Sequence, residues 1–168
     1  MTAAIILLFL VTAERLAELW LARRNTVSLL AQGAYEVAPR HYTSIVLLHA
    51  SWLAGLWLLG WSNEVGLGWL LLFLALQLLR GWTLLTLGRR WTTRIIVLPG
   101  APLVRTGPYR FVAHPNYLVV IGEIAVLPLC LGLNWYALVF SLANAIILAV
   151  RIHAENAALM GLRDVQRI

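Results

Sequence analysis

Long apolar runs are the feature that most restricts how this chain can fold. They extend over residues 2–22, 44–61, 66–87, 117–133 and 134–152. Each has about the 17–25 residues that a helix needs to cross the hydrocarbon core of a bilayer. The chain is also 61% hydrophobic, whereas soluble domains are roughly 45–50% apolar. We therefore expect an all-α integral membrane protein with five transmembrane helices, forming a single domain over residues 1–168.

Two of the connections between these runs are very short. Residues 62–65 join the second run to the third, and the fourth run leads almost directly into the fifth around Gly132. Helices joined by so few residues pack as antiparallel neighbours. The sequence thus predicts two helical hairpins, one of them at the C-terminal end of the chain.

The distribution of arginine predicts the orientation in the membrane. Arginines follow the first, third and fifth runs, whereas the two short connections contain none. The positive-inside rule then puts the N-terminus outside and the C-terminus in the cytoplasm, with the long polar segments on the cytoplasmic side. Tryptophans cluster at both expected interfaces: Trp61, Trp69 and Trp135 at the outer one, and Trp20, Trp82 and Trp91 at the inner one.

The net charge of +6 would suggest a nucleic-acid partner in a soluble protein. In a membrane protein it is better explained by topology and by contact with anionic lipid head groups, so we expect membrane lipids and no nucleic acid as partners. Cys130 is the single cysteine, and the four histidines lack the spacing of metal ligands. The sequence therefore predicts no disulfide and no metal site.

Five charged residues fall inside the apolar runs. A charge at that depth costs several kcal/mol on most estimates, so such groups pair with one another or line a wet cavity. One interpretation is a structural cluster of ion pairs between the first and third helices, and the other is the floor or access route of a pocket. For Glu123 we expect either a pairing with arginine or a place in the pocket. The residues are Glu14, Arg15, Glu18, Arg80 and Glu123.

The polar segment 103–117, with the sequence LVRTGPYRFVAHPNY, separates two apolar runs. Gly107-Pro108 is typical of a tight turn, and Pro115 suits the first turn of the next helix. The free N–H groups of that helix start would attract an anion. His114 and Tyr117, three residues apart, can face one ligand. On the fifth helix, a basic and an acidic side chain are four positions apart and therefore lie on one face. Individually, a helix cap and a surface ion pair explain these features equally well.

Taken together, the order of GPYR, HPNY, a helical hairpin and RIHAE resembles the isoprenylcysteine carboxyl methyltransferase family, over about residues 87–162. The N-terminal half is similar to a bacterial branch of that family, which is associated with type III polyketide synthases and methylates alkylresorcinol or alkylpyrone hydroxyls. The cues for this branch are Glu14, Arg15 and Glu18, Arg23–Asn25, Gly33–Glu36, His41-Tyr42 and His49.

The resemblance implies a membrane methyltransferase of the bacterial inner membrane. It would use S-adenosylmethionine from the cytoplasm and a lipidic acceptor from the bilayer, with the cofactor pocket in about residues 88–162. The residues implied in cofactor binding are His114, Tyr117, Arg151 and Glu155, together with Tyr109 and Arg110. The chain departs from the family pattern at Ala113, where an arginine is usual, and Arg110 is a candidate to replace it. The short C-terminus also leaves open how the pocket is closed.

The general base and the acceptor stay open at this point. Candidate bases are His41, His49 and Glu123, besides His114. The acceptor is expected to be the phenolic or enolic hydroxyl of a polyketide lipid or the carboxylate of a prenylcysteine. Alternative functions are an NADPH-dependent membrane sterol or steroid reductase, a phospholipid N-methyltransferase and a non-catalytic membrane scaffold.

Overall fold

The computed structural model describes residues 2–165, and it describes side chains for residues 2–39 and 42–156. The described chain contains five α-helices, two short strands and two 3₁₀ turns. The helices are α1 (Thr2–Ala31), α2 (Pro39–Gly60), α3 (Leu67–Leu87), α4 (Pro115–Cys130) and α5 (Asn134–Val165). The strands are β1 (Tyr35–Val37) and β2 (Ile95–Val97), and the 3₁₀ turns cover Gly88–Arg90 and Gly107–Arg110. The prediction of a helical fold is thus confirmed, with a small sheet that the sequence analysis missed.

Three segments have the length and composition of membrane spans: Tyr42–Gly60, Leu67–Arg90 and Asn134–Asn156. Helix α4 is apolar but has 16 residues, a length of about 24 Å against a hydrocarbon core of about 30 Å. Helix α1 contains three charged residues in its middle. Spanning by α1 and α4 therefore stays a prediction.

The helices extend further than the predicted apolar runs. Helix α1 continues from Ala22 to Ala31, because the buried stripe of Ala22, Asn25 and Leu29 repeats at helical spacing. Helix α5 continues past residue 152, whereas α4 begins two residues earlier and ends three earlier than its apolar run. Hydropathy marks the part of a helix that suits lipid, not the point where its hydrogen bonds end.

The two short connections lie together at one end of the bundle, as expected for two adjacent hairpins. The Gly66 amide donates to the Cys130 carbonyl at 2.8 Å, and the Asn63 side chain donates to the Leu131 carbonyl at 2.7 Å. These bonds tie the α2–α3 connection to the end of α4. The polar segments lie at the opposite end.

One apolar core holds the helices together. It contains Leu8 of α1, Leu56 of α2, Phe73 of α3 and Leu127 of α4, all nearly inaccessible, and α5 packs against it through Tyr136. Many other large apolar side chains are exposed, such as Leu58 at 76% and Leu78 at 78%. Exposed leucines in this number are typical of a surface that faces lipid.

At the polar end, β1 and β2 form an antiparallel ribbon in which Glu36 lies opposite Ile96. This pairing joins the α1–α2 connection to the segment that follows α3. It covers one side of the space between the helix ends, and this space is the cavity described next.

Candidate functional site

A cavity of about 750 Å³ lies at the polar end of the bundle. Its size falls in the range of about 300–1,000 Å³ that is usual for small-molecule sites. Its lining comes from the ends of α3, α4 and α5 and from the segment between α3 and α4. All six residues implied in cofactor binding line it: Tyr109, Arg110, His114, Tyr117, Arg151 and Glu155. The structure therefore brings the two predicted halves of the site together, while their role in binding stays a prediction.

The GPYR motif forms the 3₁₀ turn at the cavity wall, as the sequence predicted. Gly107 has a φ of +55°, and a Cβ atom there would lie 2.3 Å from the Thr86 Oγ1 atom of α3. Glycine is therefore required both by the backbone conformation and by the close approach to α3. The turn places Tyr109 in the cavity, where burial, and then the negative charge of Glu155, raises the pKa of its phenol. Tyr109 stays a neutral hydrogen-bonding group at physiological pH.

The HPNY motif forms the start of α4. Pro115 occupies the first turn, and no side chain caps the helix start. His114 Nε2 donates to Asn156 Oδ1 at 3.0 Å, and its ring stacks on Tyr117 with centroids 5.1 Å apart. His114 Nδ1 lies 3.9 Å from Glu155 Oε1. Helix α4 thus presents an imidazole and an uncapped N-terminus to the same cavity.

Tyr117 connects the two charged residues of α5. Arg151 Nε donates to the Tyr117 hydroxyl oxygen at 2.8 Å, and the Tyr117 hydroxyl donates to the Glu155 carboxylate. Arg151 is 9% exposed and also donates from Nη2 to the Thr93 carbonyl at 2.8 Å. This network fixes a cation and an anion at one end of the cavity, an arrangement that suits a ligand carrying both charges.

Two further lining residues have a buried polar atom with no partner among the side chains and backbone that the structure describes. They are Trp91, through Nε1, and Asn116, through Oδ1. Trp91 is 3% exposed. A buried donor or acceptor without a partner costs about 1–3 kcal/mol, which a ligand with a matching group would recover. The sequence analysis placed Trp91 only in an interfacial belt. Its signal as a site residue, a place in the cavity wall together with an unpartnered buried N–H, exists only in the structure.

The cavity wall is also held by a contact that the sequence analysis did not identify. Arg94 Nη1 pairs with Glu36 at 2.8 Å, and its guanidinium lies 4.5 Å from the ring centroid of Tyr42. Arg94 therefore ties the strand region beside the cavity to β1 and to the beginning of α2. Ala113 and Arg110 both lie exposed at the cavity, so Arg110 is near the position of the missing family arginine.

The charged residues inside the helices form a separate cluster. Arg80 donates to Glu18 Oε1 at 2.9 Å and to Glu123 Oε1 at 2.8 Å. Arg15 lies 2.8 Å from Glu18 and 3.2 Å from Glu123. The cluster joins α1, α3 and α4, and Glu123 pairs with arginine, one of the two arrangements expected for it. None of its members lines the cavity.

The candidate bases lie in different parts of the structure. Glu123 accepts from three side chains in the cluster, those of Arg15, Gln77 and Arg80. His49 lies within 2.8 Å of the Ile45 carbonyl in its own helix, and neither residue lines the cavity. The side chain of His41 lies outside those that the structure describes. His114 is in the cavity, so among the candidates with described side chains it is the one near the predicted site.

Comparison with known protein families gives a match over residues 69–161, from the first turn of α3 into α5. The matched model describes the isoprenylcysteine carboxyl methyltransferase (ICMT) family, and it covers more than half of the chain. The chain belongs to the ICMT family. The matched region includes the GPYR turn, the HPNY helix start and the Arg151–Glu155 pair.

Two relatives match the chain over nearly its full length. The uncharacterized protein YpbQ of Bacillus subtilis is 38% identical over 159 residues, which is 92% of this chain and 95% of that protein. An uncharacterized protein of Haemophilus influenzae is 28% identical over 156 residues, 89% of this chain and 90% of that protein. No solved structure matches the chain. Membership of the ICMT family, together with the apolar helices, indicates an integral membrane protein with methyltransferase activity.

Proposed function

We propose that this chain is an integral membrane O-methyltransferase that uses S-adenosylmethionine to methylate a lipidic acceptor. The observation that carries the proposal is the convergence of His114, Tyr117, Arg151 and Glu155 on one cavity. His114 and Tyr117 lie at the start of α4, and Arg151 and Glu155 lie on α5. At least 34 positions of the chain separate the two pairs. Family membership supports methyl transfer as the reaction.

The residues present fit the chemistry of this cofactor. The methionine part of S-adenosylmethionine carries an ammonium and a carboxylate. Glu155 would hold the ammonium, and the uncapped start of α4 would hold the carboxylate through the Asn116 N–H and the helix dipole. Pro115 has no N–H, and the Tyr117 N–H donates to the His114 carbonyl. The orphaned polar atoms of Trp91 and Asn116 offer one donor and one acceptor to uncharged groups.

When bound, S-adenosylmethionine supplies a methyl group on a sulfonium, from which a neutral thioether is an excellent leaving group. The protein then needs mainly to align the acceptor oxygen at about 3–3.5 Å and to exclude water. The Arg151–Tyr117–Glu155 network contributes by fixing its charged groups before the ligand arrives. Preorganised groups lose little free energy in reorienting during the reaction.

The need for a base depends on the acceptor. A carboxylate acceptor needs none, whereas a phenol, with a pKa of about 10, gains from one. His114 is the candidate that lines the cavity. Its Nε2 donates to Asn156, so in the neutral ring Nδ1 is the atom that can accept a proton. We propose His114 as this base if the acceptor is the hydroxyl of a polyketide lipid.

The candidate acceptors suggested by the family resemblance are an alkylresorcinol or alkylpyrone hydroxyl and a prenylcysteine carboxylate. We propose that the acceptor reaches the cavity from the bilayer, with the cavity on the cytoplasmic side of a bacterial inner membrane. The arginine distribution and the exposed leucines support this placement.

Titration calorimetry with S-adenosylmethionine tests the proposal on the purified full chain. Glu155→Gln removes the negative charge while keeping the shape of the side chain. We expect its Kd to rise roughly tenfold to hundredfold, since a hydrogen bond to a charged group is worth about 1.5–3 kcal/mol. Glu64→Gln is the matched control, because Glu64 lies in the α2–α3 connection at the opposite end of the bundle, and its Kd should not change.

An activity assay identifies the reaction. Transfer of a labelled methyl group to an alkylresorcinol or to farnesylcysteine would select the acceptor class. Binding of NADPH in place of S-adenosylmethionine would instead favour the reductase, and methylation of a phospholipid amine would favour the N-methyltransferase. An unchanged Kd for S-adenosylmethionine in Glu155→Gln would contradict the role of the cavity.

A further inference from the structure

A second recess lies outside the candidate site, between the C-terminal halves of α1 and α3. It has a volume of about 760 Å³ and no acidic residue in its lining. Its walls combine leucines with two arginines and a few small or polar residues. The lining consists of Leu21, Arg24, Asn25, Ser28, Gly81, Leu84, Leu85, Gly88 and Arg89. We call this recess the α1–α3 groove.

The two arginines line the groove from different elements, and the Arg24 guanidinium lies 5.8 Å from the ring centroid of Trp20. Arg24 comes from α1, and Arg89 comes from the 3₁₀ turn after α3. Both are exposed, and neither forms an ion pair with an acidic residue among the side chains that the structure describes. The groove therefore presents two positive charges that are available to an anion.

The aromatic residues indicate how deep the groove lies. Trp20, one turn before Arg24, is 64% exposed, and Trp82, two turns before Arg89, is 48% exposed. Exposed tryptophans of this kind mark the level of the lipid head groups. Arg24 and Arg89 thus lie one and two turns outside that level, and Leu84 and Leu85 lie between Arg89 and the level of Trp82.

The groove also has room for a ligand. A Cβ atom added at Gly81 would meet nothing within 4 Å, so this part of α3 leaves open space beside the leucines. On its inner side, Asn25 closes the groove by donating to the carbonyls of Gly88 at 3.2 Å and Trp91 at 2.8 Å.

We propose that the α1–α3 groove is a binding site for an anionic phospholipid. The phosphate would lie between Arg24 and Arg89, the glycerol would lie along Leu84 and Leu85, and the acyl chains would start beside Gly81. Basic pockets between helices at the cytoplasmic interface recognise anionic head groups in this way. The site is separate from the cavity and does not depend on methyl transfer.

Native mass spectrometry of the full chain in detergent tests this inference, with dioleoyl phosphatidylglycerol as the probe and dioleoyl phosphatidylcholine as the neutral comparison. We expect the wild type to retain phosphatidylglycerol selectively. Arg24→Gln and Arg89→Gln should each weaken its binding roughly fivefold, since one arginine near a head group contributes about 1 kcal/mol.

Arg23→Gln is the matched control. Arg23 is exposed and adjacent to Arg24 on α1, but it does not line the groove. An equal loss in Arg23→Gln and Arg24→Gln would overturn the proposal, because it would show attraction by net charge alone. Equal binding of the two lipids by the wild type would overturn it as well.

A second variant tests the groove without changing charge. Gly81→Leu fills the open space and should also support the helix, because leucine is a better helix former than glycine. We expect it to weaken phosphatidylglycerol binding at least fivefold while thermal stability is kept. Unchanged lipid binding in Gly81→Leu would show that no lipid occupies the groove.

Discussion

Replacing Arg80 by methionine tests whether the charged cluster inside the helices is structural. The Arg80 side chain is 4% exposed and pairs with Glu18 and Glu123. The three carboxylates and two guanidinium groups of the cluster sum to −1, and the substitution changes this to −2. Removing one partner of a buried ion pair costs about 3–5 kcal/mol, because the other charge stays buried. We expect a loss of that order in the free energy of unfolding.

Circular dichroism monitors the unfolding of the full chain in mixed micelles as the concentration of a denaturing detergent is raised. Adding Glu123→Gln to Arg80→Met returns the cluster to −1 and should recover a large part of the lost stability. Arg23→Met, at an exposed position of α1, controls for the loss of an arginine. Each folded variant should keep its Kd for S-adenosylmethionine, since no cluster residue lines the cavity. The structural explanation would be refuted if the double variant were no more stable than Arg80→Met. It would also be refuted if Arg80→Met were stable but had lost its affinity for S-adenosylmethionine.

Two further substitutions address the cavity. In Trp91→Phe, the unpartnered buried N–H is removed, so we expect equal or higher thermal stability without ligand, and a Kd for S-adenosylmethionine or a KM for the acceptor raised roughly twofold to tenfold. Binding constants that both match the wild type would exclude Trp91 from ligand recognition. In Gly107→Ala, the positive φ and the clash of the new Cβ atom with Thr86 Oγ1 should lower the free energy of unfolding by about 1–3 kcal/mol. Thermal unfolding measures this loss, and Thr86→Ala in the same chain should recover the part due to the clash; no recovery would assign the whole effect to backbone strain.

Much of the helical framework could be predicted because its signals are local. An apolar run of about 20 residues specifies a helix, and a connection such as residues 62–65 leaves only an antiparallel hairpin. The limits of α1 and α5 were predicted less well, because helical hydrogen bonding continues beyond the apolar run when a stripe such as Ala22, Asn25 and Leu29 can still be buried.

The candidate site could be predicted in part for a similar reason. His114 and Tyr117 lie within one short motif, and Arg151 and Glu155 lie one helical turn apart, so resemblance to a family locates both pairs. The contribution of Glu36 and Arg94 was missed, because the two residues are 58 positions apart and meet only through the pairing of β1 with β2. Two three-residue strands have no clear periodic pattern of their own.

By itself, the sequence determined a helical membrane framework, the C-terminal hairpin and the two motifs that converge on the cavity. These follow from hydrophobicity and helical periodicity, which act over a few neighbouring residues. The tertiary structure alone decided that Glu123 pairs with Arg80, that Tyr117 links Arg151 to Glu155, and that the buried Trp91 N–H has no partner among the described residues. Such contacts depend on how distant helices pack, because a polar group buried among them must take whichever partner the packing provides.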